Sequence, residues 1–191
     1  MARVKGTTQR QTDLVEELVA LMLAEGFAHL TLDQVAARLR CSKSTLYALA
    51  GSREQLVQAV VVHFFRGATG RVEARVVVAA GAREQIAAYL QAVADELRPA
   101  SAQFMADLDA FAPAREVYQR NTALAARRVQ QLVAAGVASG ELRDVHAAFV
   151  ADVVAASMVR IQQRRVAEST GLADAQAYTE LAALVLHGVT A

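Results

Sequence analysis

The chain has 191 residues, a formal net charge of +1, two prolines, one cysteine and no tryptophan, and Ala, Leu and Val dominate it. That length suffices for a real core in one domain or two small ones, the composition favours an all-helical protein, and the near-zero charge gives no whole-chain argument for nucleic acid. One cysteine excludes an internal disulfide, and with no apolar leader and no apolar run near the ~18 residues of a membrane span, a soluble cytoplasmic protein with no membrane partner is expected.

Arg3, Lys5 and Arg10 precede the first acid, Asp13, and form a short basic arm. Such an arm can lie along phosphates or in a minor groove, or remain a solvated terminus. Helix 1 is expected from Thr8 to Glu25, with Leu14, Val15, Leu18, Leu21 and Met22 at helical spacing. Gly26 should end it, since glycine best accepts a left-handed C-terminal conformation. Phe27 and Leu30 then plug a small core.

The stretch Thr31–Leu56 reads as two short helices joined by a tight turn, followed by the start of another helix. Thr31 and Gln34 are spaced as a capping box, with Leu30 and Val35 in the staple positions. Ser42 caps the second short helix, and Ser52 with Gln55 makes another box, with Glu54 in the first turn where the helix dipole favours an anion. Val35, Ala36 and Leu39 form the buried face of the first short helix, and Leu46 and Leu49 that of the second. Lys43, Ser44, Thr45, Tyr47 and Ala48 are left facing outward, a small polar surface that fits a major groove or is merely solvated. Cys41, at the turn, reads as a small buried hydrophobe or a redox sensor.

The S-x-S-T-L-Y core followed by S-R-E-x-L resembles the DNA-binding motif of the TetR/AcrR family of bacterial helix-turn-helix transcriptional regulators. Thr31, Val35, Ala36, Ser42, Ser44, Thr45, Leu46, Tyr47, Ser52, Arg53, Glu54 and Leu56 are in register with it. Leu39 replaces an alanine of the pattern, Arg40 the turn glycine, Cys41 a valine, and Leu49-Ala50 an aromatic pair. Arg40 leaves open how the turn is made, because a non-glycine residue takes positive φ reluctantly. The resemblance implies a DNA-binding set of Thr31, Lys43, Ser44, Thr45, Tyr47 and Arg53. Within it Thr45, Tyr47 and Arg53 would grip phosphates, while Lys43 and Ser44 would face bases.

Helix 4 is expected from Ser52, carrying Leu56, Val57, Val60, Val61, Phe64 and Phe65. Gly67 and Gly70 weaken it, but Val72, Val76 and Ala79 keep helical spacing and favour its continuation to Ala79. Helix 5 follows over Ala82–Arg98, stopped by Pro99, and helix 6 over Ala102–Phe111, capped by Ser101. Helix 7 begins near Pro113 and runs to Ala138. Helix 8, capped by Asp144, is expected over Val145–Ser169. Helix 9 is expected over Ala173–Gly188.

This order of nine helices also resembles the TetR family. The implied architecture is all-α: an N-terminal three-helix helix-turn-helix head (8–51) and a C-terminal helical ligand-binding and dimerisation body (52–191). It implies a small-molecule cavity formed by helices 5 to 7, with Tyr89, Phe104, Met105, Leu108, Phe111, Tyr118, Met158 and Gln162 as candidates that plain core packing would equally use. Asp107 and Asp109 either recognise a cation or are solvated. Helices 8 and 9 are apolar on several sides, so a partner subunit or a larger internal core must cover them. Val150, Val154, Met158, Tyr178, Leu181 and Val185 are the dimer candidates.

Enzyme signatures are missing. His29, His63, His146 and His187 have no metal-ligand spacing, and there is no nucleophile elbow or phosphate loop. No metal and no cofactor is expected. The resemblance implies a homodimeric regulator of a palindromic double-stranded operator, a repressor released by a small hydrophobic or amphipathic effector. An activator or a ligand-independent regulator of the same fold is the alternative, and a helical enzyme is a remote one.

Overall fold

A computed structural model describes residues 9–190, except the side chain of Gln162. Arg3 and Lys5 of the basic arm, Thr8 at the expected start of helix 1, and the Gln162 side chain lie outside the described residues. The described residues form ten α-helices and no strand: α1 (Gln9–Glu25), α2 (Leu32–Arg38), α3 (Lys43–Leu49), α4 (Arg53–Val77), α5 (Gly81–Leu97), α6 (Ala102–Ala110), α7 (Ala112–Ser139), α8 (Ala147–Gln162), α9 (Arg165–Thr170) and α10 (Asp174–Val189).

The local signals of the head act largely as their chemistry requires, except that Ser52 and Gln55 make only the hydroxyl half of the expected box. Gly26 ends α1 with φ of 81°. Thr31 and Gln34 form the full capping box on α2, and Ser42 and Ser52 accept the N–H groups of Thr45 and Gln55 to cap α3 and α4. The α2–α3 turn needs no glycine. Arg40 takes φ of 49°, the Cys41 N–H reaches the Ala36 carbonyl at 3.0 Å, and the Arg40 N–H reaches that of Ala37 at 3.3 Å. Those are the two hydrogen bonds of a Schellman termination, with arginine in the left-handed position that glycine usually holds. The half-buried Cys41 packs against the core, and burial pushes its thiol pKa up, away from the reactive thiolate.

α4 is one unbroken helix through Gly67 and Gly70. Its 25 residues span about 37 Å at 1.5 Å per residue. It leaves the head beside α1 and α3 and runs into the body between α5 and α7. There α5 packs on α10, and α7 on α8. One continuous apolar core extends from Leu14 in α1 to Val189 in α10.

Two expectations for the C-terminal part are corrected. Helix 8 is not continuous to Ser169. It stops at Gln162, where Arg164 turns left-handed (φ 61°) and sends its guanidinium to Asp174 at 2.9 Å, so the short α9 starts in a new direction. The cap of α8 is His146, whose Nδ1 accepts the Phe149 N–H at 3.2 Å, and not Asp144.

Candidate DNA-binding face and ligand cavity

α3 is anchored by Leu46, 1% exposed, and its opposite side carries the polar residues. The Ser42 hydroxyl holds its first turn, contacting the hydroxyls of Ser44 at 2.7 Å and Thr45 at 2.8 Å. Tyr47 is 51% exposed, an unusual position for a phenol in the free protein and a suitable one for a groove-facing helix. Lys43 reaches back to Asp33 on α2, Nζ to Oδ1 2.6 Å, which raises its pKa and leaves its ammonium outside. Thr31 is exposed at the start of α2, its hydroxyl engaged with Gln34. Thr31, Lys43, Ser44, Thr45 and Tyr47 thus lie on or beside the α2–α3 unit.

Arg53 has a structural role that the motif did not announce. Its guanidinium donates to the carbonyls of Leu30 at 2.7 Å, Phe27 at 2.5 Å and Ala28 at 2.9 Å. Those carbonyls belong to the α1–α2 connection, so Arg53 fastens that connection to α4. Asp107, expected to be solvated or cation-binding, is a second fastener: it is buried on α6 and accepts the N–H groups of Phe27 and Ala28.

In the body, α4, α5, α7, α8 and α10 surround a cavity of about 440 Å³. This is within the ordinary range of small-molecule sites. Phe65 of α4 stacks on Tyr118 of α7, with ring centroids 5.2 Å apart. The inner end holds Tyr118 and Tyr178, fully buried, with hydroxyls 3.3 Å apart. Burial raises the pKa of both, and of Tyr89, and pushes Tyr178 up to about 12. The three phenols are therefore neutral hydrogen-bonding groups at any physiological pH. The outer end carries Glu73, Glu96, Arg127, Arg128 and Leu124.

Of the expected cavity residues, Tyr89, Tyr118 and Met158 line it. The four on or capping α6 do not. Phe104, Met105 and Leu108 are core residues no more than 1% exposed, and Phe111 faces Phe27, centroids 6.1 Å apart. α6 packs toward α1, not toward the cavity, because Asp107 and the Ser101 N–H, which reaches the Leu23 carbonyl at 2.8 Å, tie it to the head. The charged outer end escaped sequence reasoning. The i, i+3, i+4, i+7 spacing of Leu124, Arg127, Arg128 and Gln131 on α7 was the one signal available.

Five of the six dimer candidates are corrected as well. Val154, Met158, Tyr178, Leu181 and Val185 are at most 7% exposed within the single chain, and Val150 is half-buried. A partner cannot cover what the protomer already covers. The open large apolar side chains of α8 and α10 are instead Phe149 at 67%, Val153 at 39%, Val159 at 38% and Leu184 at 70%.

Residues 14–60 match the family model of bacterial regulatory proteins, tetR family. Among curated proteins nothing matches. Among solved structures, a protein from Saccharomonospora viridis in complex with choline is similar at 15% identity and TM-score 0.76, over 97% of this chain and 100% of that one. A transcriptional regulator of the TetR/AcrR family from Thermobifida fusca matches at 22% identity and TM-score 0.66, over 95% and 98%. The ketosteroid transcriptional regulator KstR2 of Mycobacterium tuberculosis matches at 19% identity and TM-score 0.61, over 99% and 100%. At these identities the structural matches establish the fold, while the head carries the family's own sequence pattern. Residues 14–60 thus match the head of the bacterial tetR-family regulators, and over nearly its whole length the chain shares the fold of solved transcriptional regulators.

Proposed function

We propose that the protein is a homodimeric repressor of the cytoplasm that binds a palindromic duplex through α3 and leaves it when a small amphipathic molecule enters the body cavity. The observation that carries this reading is α4. One continuous helix begins at the Ser52 cap beside α3 and supplies Phe64, Phe65, Ala68, Thr69, Val72 and Glu73 to the cavity wall. A molecule that alters the cavity wall therefore acts on the element that carries the head. It shifts DNA binding only by its differential affinity for the two head arrangements.

Two heads must reach successive major grooves, roughly 34–36 Å apart, which requires a twofold assembly. Phe149, Val153 and Leu184 on α8 and α10 offer the apolar face for it. Among the described residues no helix is long and apolar enough to cross a membrane.

Selection of bound duplexes from a random pool tests the reading. The expected winner is an inverted repeat bound by two chains. A non-repeated winner, or retention of duplex that does not weaken as salt rises, would count against it.

A further inference from the structure

The hydrogen-bonding and charge state of the cavity wall is specific enough to say what chemistry should fill it. Glu73 is held by a two-pronged arginine: Arg128 Nε lies 3.0 Å from its Oε1, and Nη2 lies 3.0 Å from its Oε2. Glu96 is held in the same way by Arg71, at 2.9 and 2.6 Å. Both carboxylates of the cavity are thus neutralised by the geometry that arginine forms best. Arg127 also lines the cavity, and among the described residues no carboxylate lies within ion-pair distance of it. The charge left over at the outer end is positive.

The inner end also offers a hydrogen-bond donor, although the buried carboxylate of Asp174 acts on the same pair of phenols. Tyr118 and Tyr178 bring two hydroxyl protons, and the contact between them uses one. The other proton has no protein acceptor in hydrogen-bond contact among the described residues. Between the two ends lie Phe65, Met158 and the ring of Tyr89, which offer mainly apolar surface to a chain or a ring.

We infer that the cavity takes an amphipathic monocarboxylate, with its carboxylate at Arg127 and its apolar body against Phe65, Tyr89 and Met158. A cationic amphiphile would have to displace an arginine from Glu73 or Glu96 and would leave Arg127 facing like charge. An anion displaces nothing. This specifies the effector class for the release mechanism proposed above, and rests on that reading only for its regulatory consequence.

The test is calorimetric titration of the full-length protein with octanoate, octan-1-ol and octyltrimethylammonium, repeated with Arg127→Gln and with Ala125→Leu. Arg127 is exposed and makes no ion pair among the described residues, so its replacement tests recognition without threatening the fold. Ala125 lines the cavity, and leucine there fills it. Octanoate should bind about tenfold or more tighter than the alcohol, with the ammonium weakest. Arg127→Gln should bring octanoate down to the alcohol, and Ala125→Leu should weaken both.

Tighter binding of the ammonium, an octanoate advantage that survives Arg127→Gln, or no binding of octanoate at all each overturns the inference. Operator affinity measured beside the titration separates the two proposals. An ammonium that binds and releases DNA leaves the release mechanism standing and removes the carboxylate class. Octanoate bound with the expected preference but without effect on DNA supports the class and removes the release mechanism.

Discussion

The carboxylate of Asp107 accepts the backbone N–H of Phe27 at 2.6 Å, across 80 positions of sequence. It accepts the Ala28 N–H at 2.7 Å with the same oxygen, while Gln103 holds the other. Asp107 stands on α6 and Phe27 in the α1–α2 connection, so a buried anion joins body to head. Gly26 permits this approach. A Cβ at that position would stand 2.6 Å from Asp107 Oδ2, and its φ of 81° disfavours any other residue.

Asp107→Ala is therefore expected to destabilise the protein by about 2–4 kcal/mol, because it leaves two backbone N–H groups without their charged acceptor. Urea unfolding measures this. A loss under about 0.5 kcal/mol, the scale of an ordinary surface substitution, would show that water replaces the clamp without cost. The edge-to-face contacts of Phe27 with Phe104 and of Phe104 with Phe64, centroids 5.9 and 6.3 Å apart, extend the same junction to α4.

Assembly separates two neighbouring valines. Val153 is 39% exposed and Val154 is fully buried. Phe149→Glu with Val153→Glu should give a folded monomer by sedimentation, with native helicity and weakened operator affinity. Val154→Glu should unfold the chain instead, because an unpaired buried charge costs several kcal/mol. If the Phe149 and Val153 double variant remains dimeric, the face on α8 and α10 is not the interface.

The difference between those valines explains how far the sequence could be read. Caps and the head motif were legible because each depends on residues within a few positions: Thr31 with Gln34, Ser42 with Thr45, Gly26 with its own φ. Apolar periodicity in helices 8 and 9 showed that much surface is buried, but not which stripe the protomer covers. That depends on how α10 meets α5 and α8 meets α7, which no local pattern encodes. The anchoring bonds of Arg53 and Asp107 were not legible for the same reason. Each is a charged residue on a helix in sequence, and each bonds to backbone groups more than 20 positions away. The break at Arg164 depends on Asp174, across the whole of α9.

On the DNA face, Tyr47→Phe should weaken binding to all duplexes similarly, as loss of a phosphate contact does. Lys43→Ala should change which sequence is preferred, by about 1–3 kcal/mol at the position it reads. Its ion pair with Asp33 is exposed at both ends, so stability should barely respond. Comparing selected binding sites for wild type and Lys43→Ala decides the matter: identical preferences would assign the lysine to the phosphates.

Alkaline pH tests the cavity. The phenols of Tyr89, Tyr118 and Tyr178 have raised pKa values in the folded chain, with Tyr178 moved from 10.0 to about 12 and burial as the main cause in all three. The folded state thus favours the protonated phenols. Their contribution to stability is complete below pH 10 and is lost as the pH rises through the folded values. Tyr178 alone should lower stability by roughly 2–3 kcal/mol by pH 12. Tyrosinate absorbance followed beside circular dichroism should show these phenols ionising together with unfolding. Ionisation near pH 10 with helicity intact would mean that water reaches the inner end.

The last prediction concerns α4 as the lever between cavity and head. Gly67 and Gly70 lie within its continuous helical run, at the level of Ala68, Thr69 and Val72 on the cavity wall. A Cβ at Gly70 would meet nothing within 4 Å, so alanine fits there without displacing a neighbour. Gly70→Ala should therefore stabilise the protein by about 0.5–1 kcal/mol, through helix propensity and a less flexible unfolded chain. Its effect on coupling is a separate matter. If effector binding reaches the head by moving α4, a stiffer α4 carries more of that movement. The ratio of operator affinities without and with effector should then rise from wild type to Gly70→Ala. If the signal travels instead through α6, Asp107 and the Phe27 connection, Gly70→Ala should leave that ratio unchanged and Asp107→Asn should reduce it. Measuring both variants at the same effector saturation distinguishes the routes, because each predicts a change in one variant and constancy in the other.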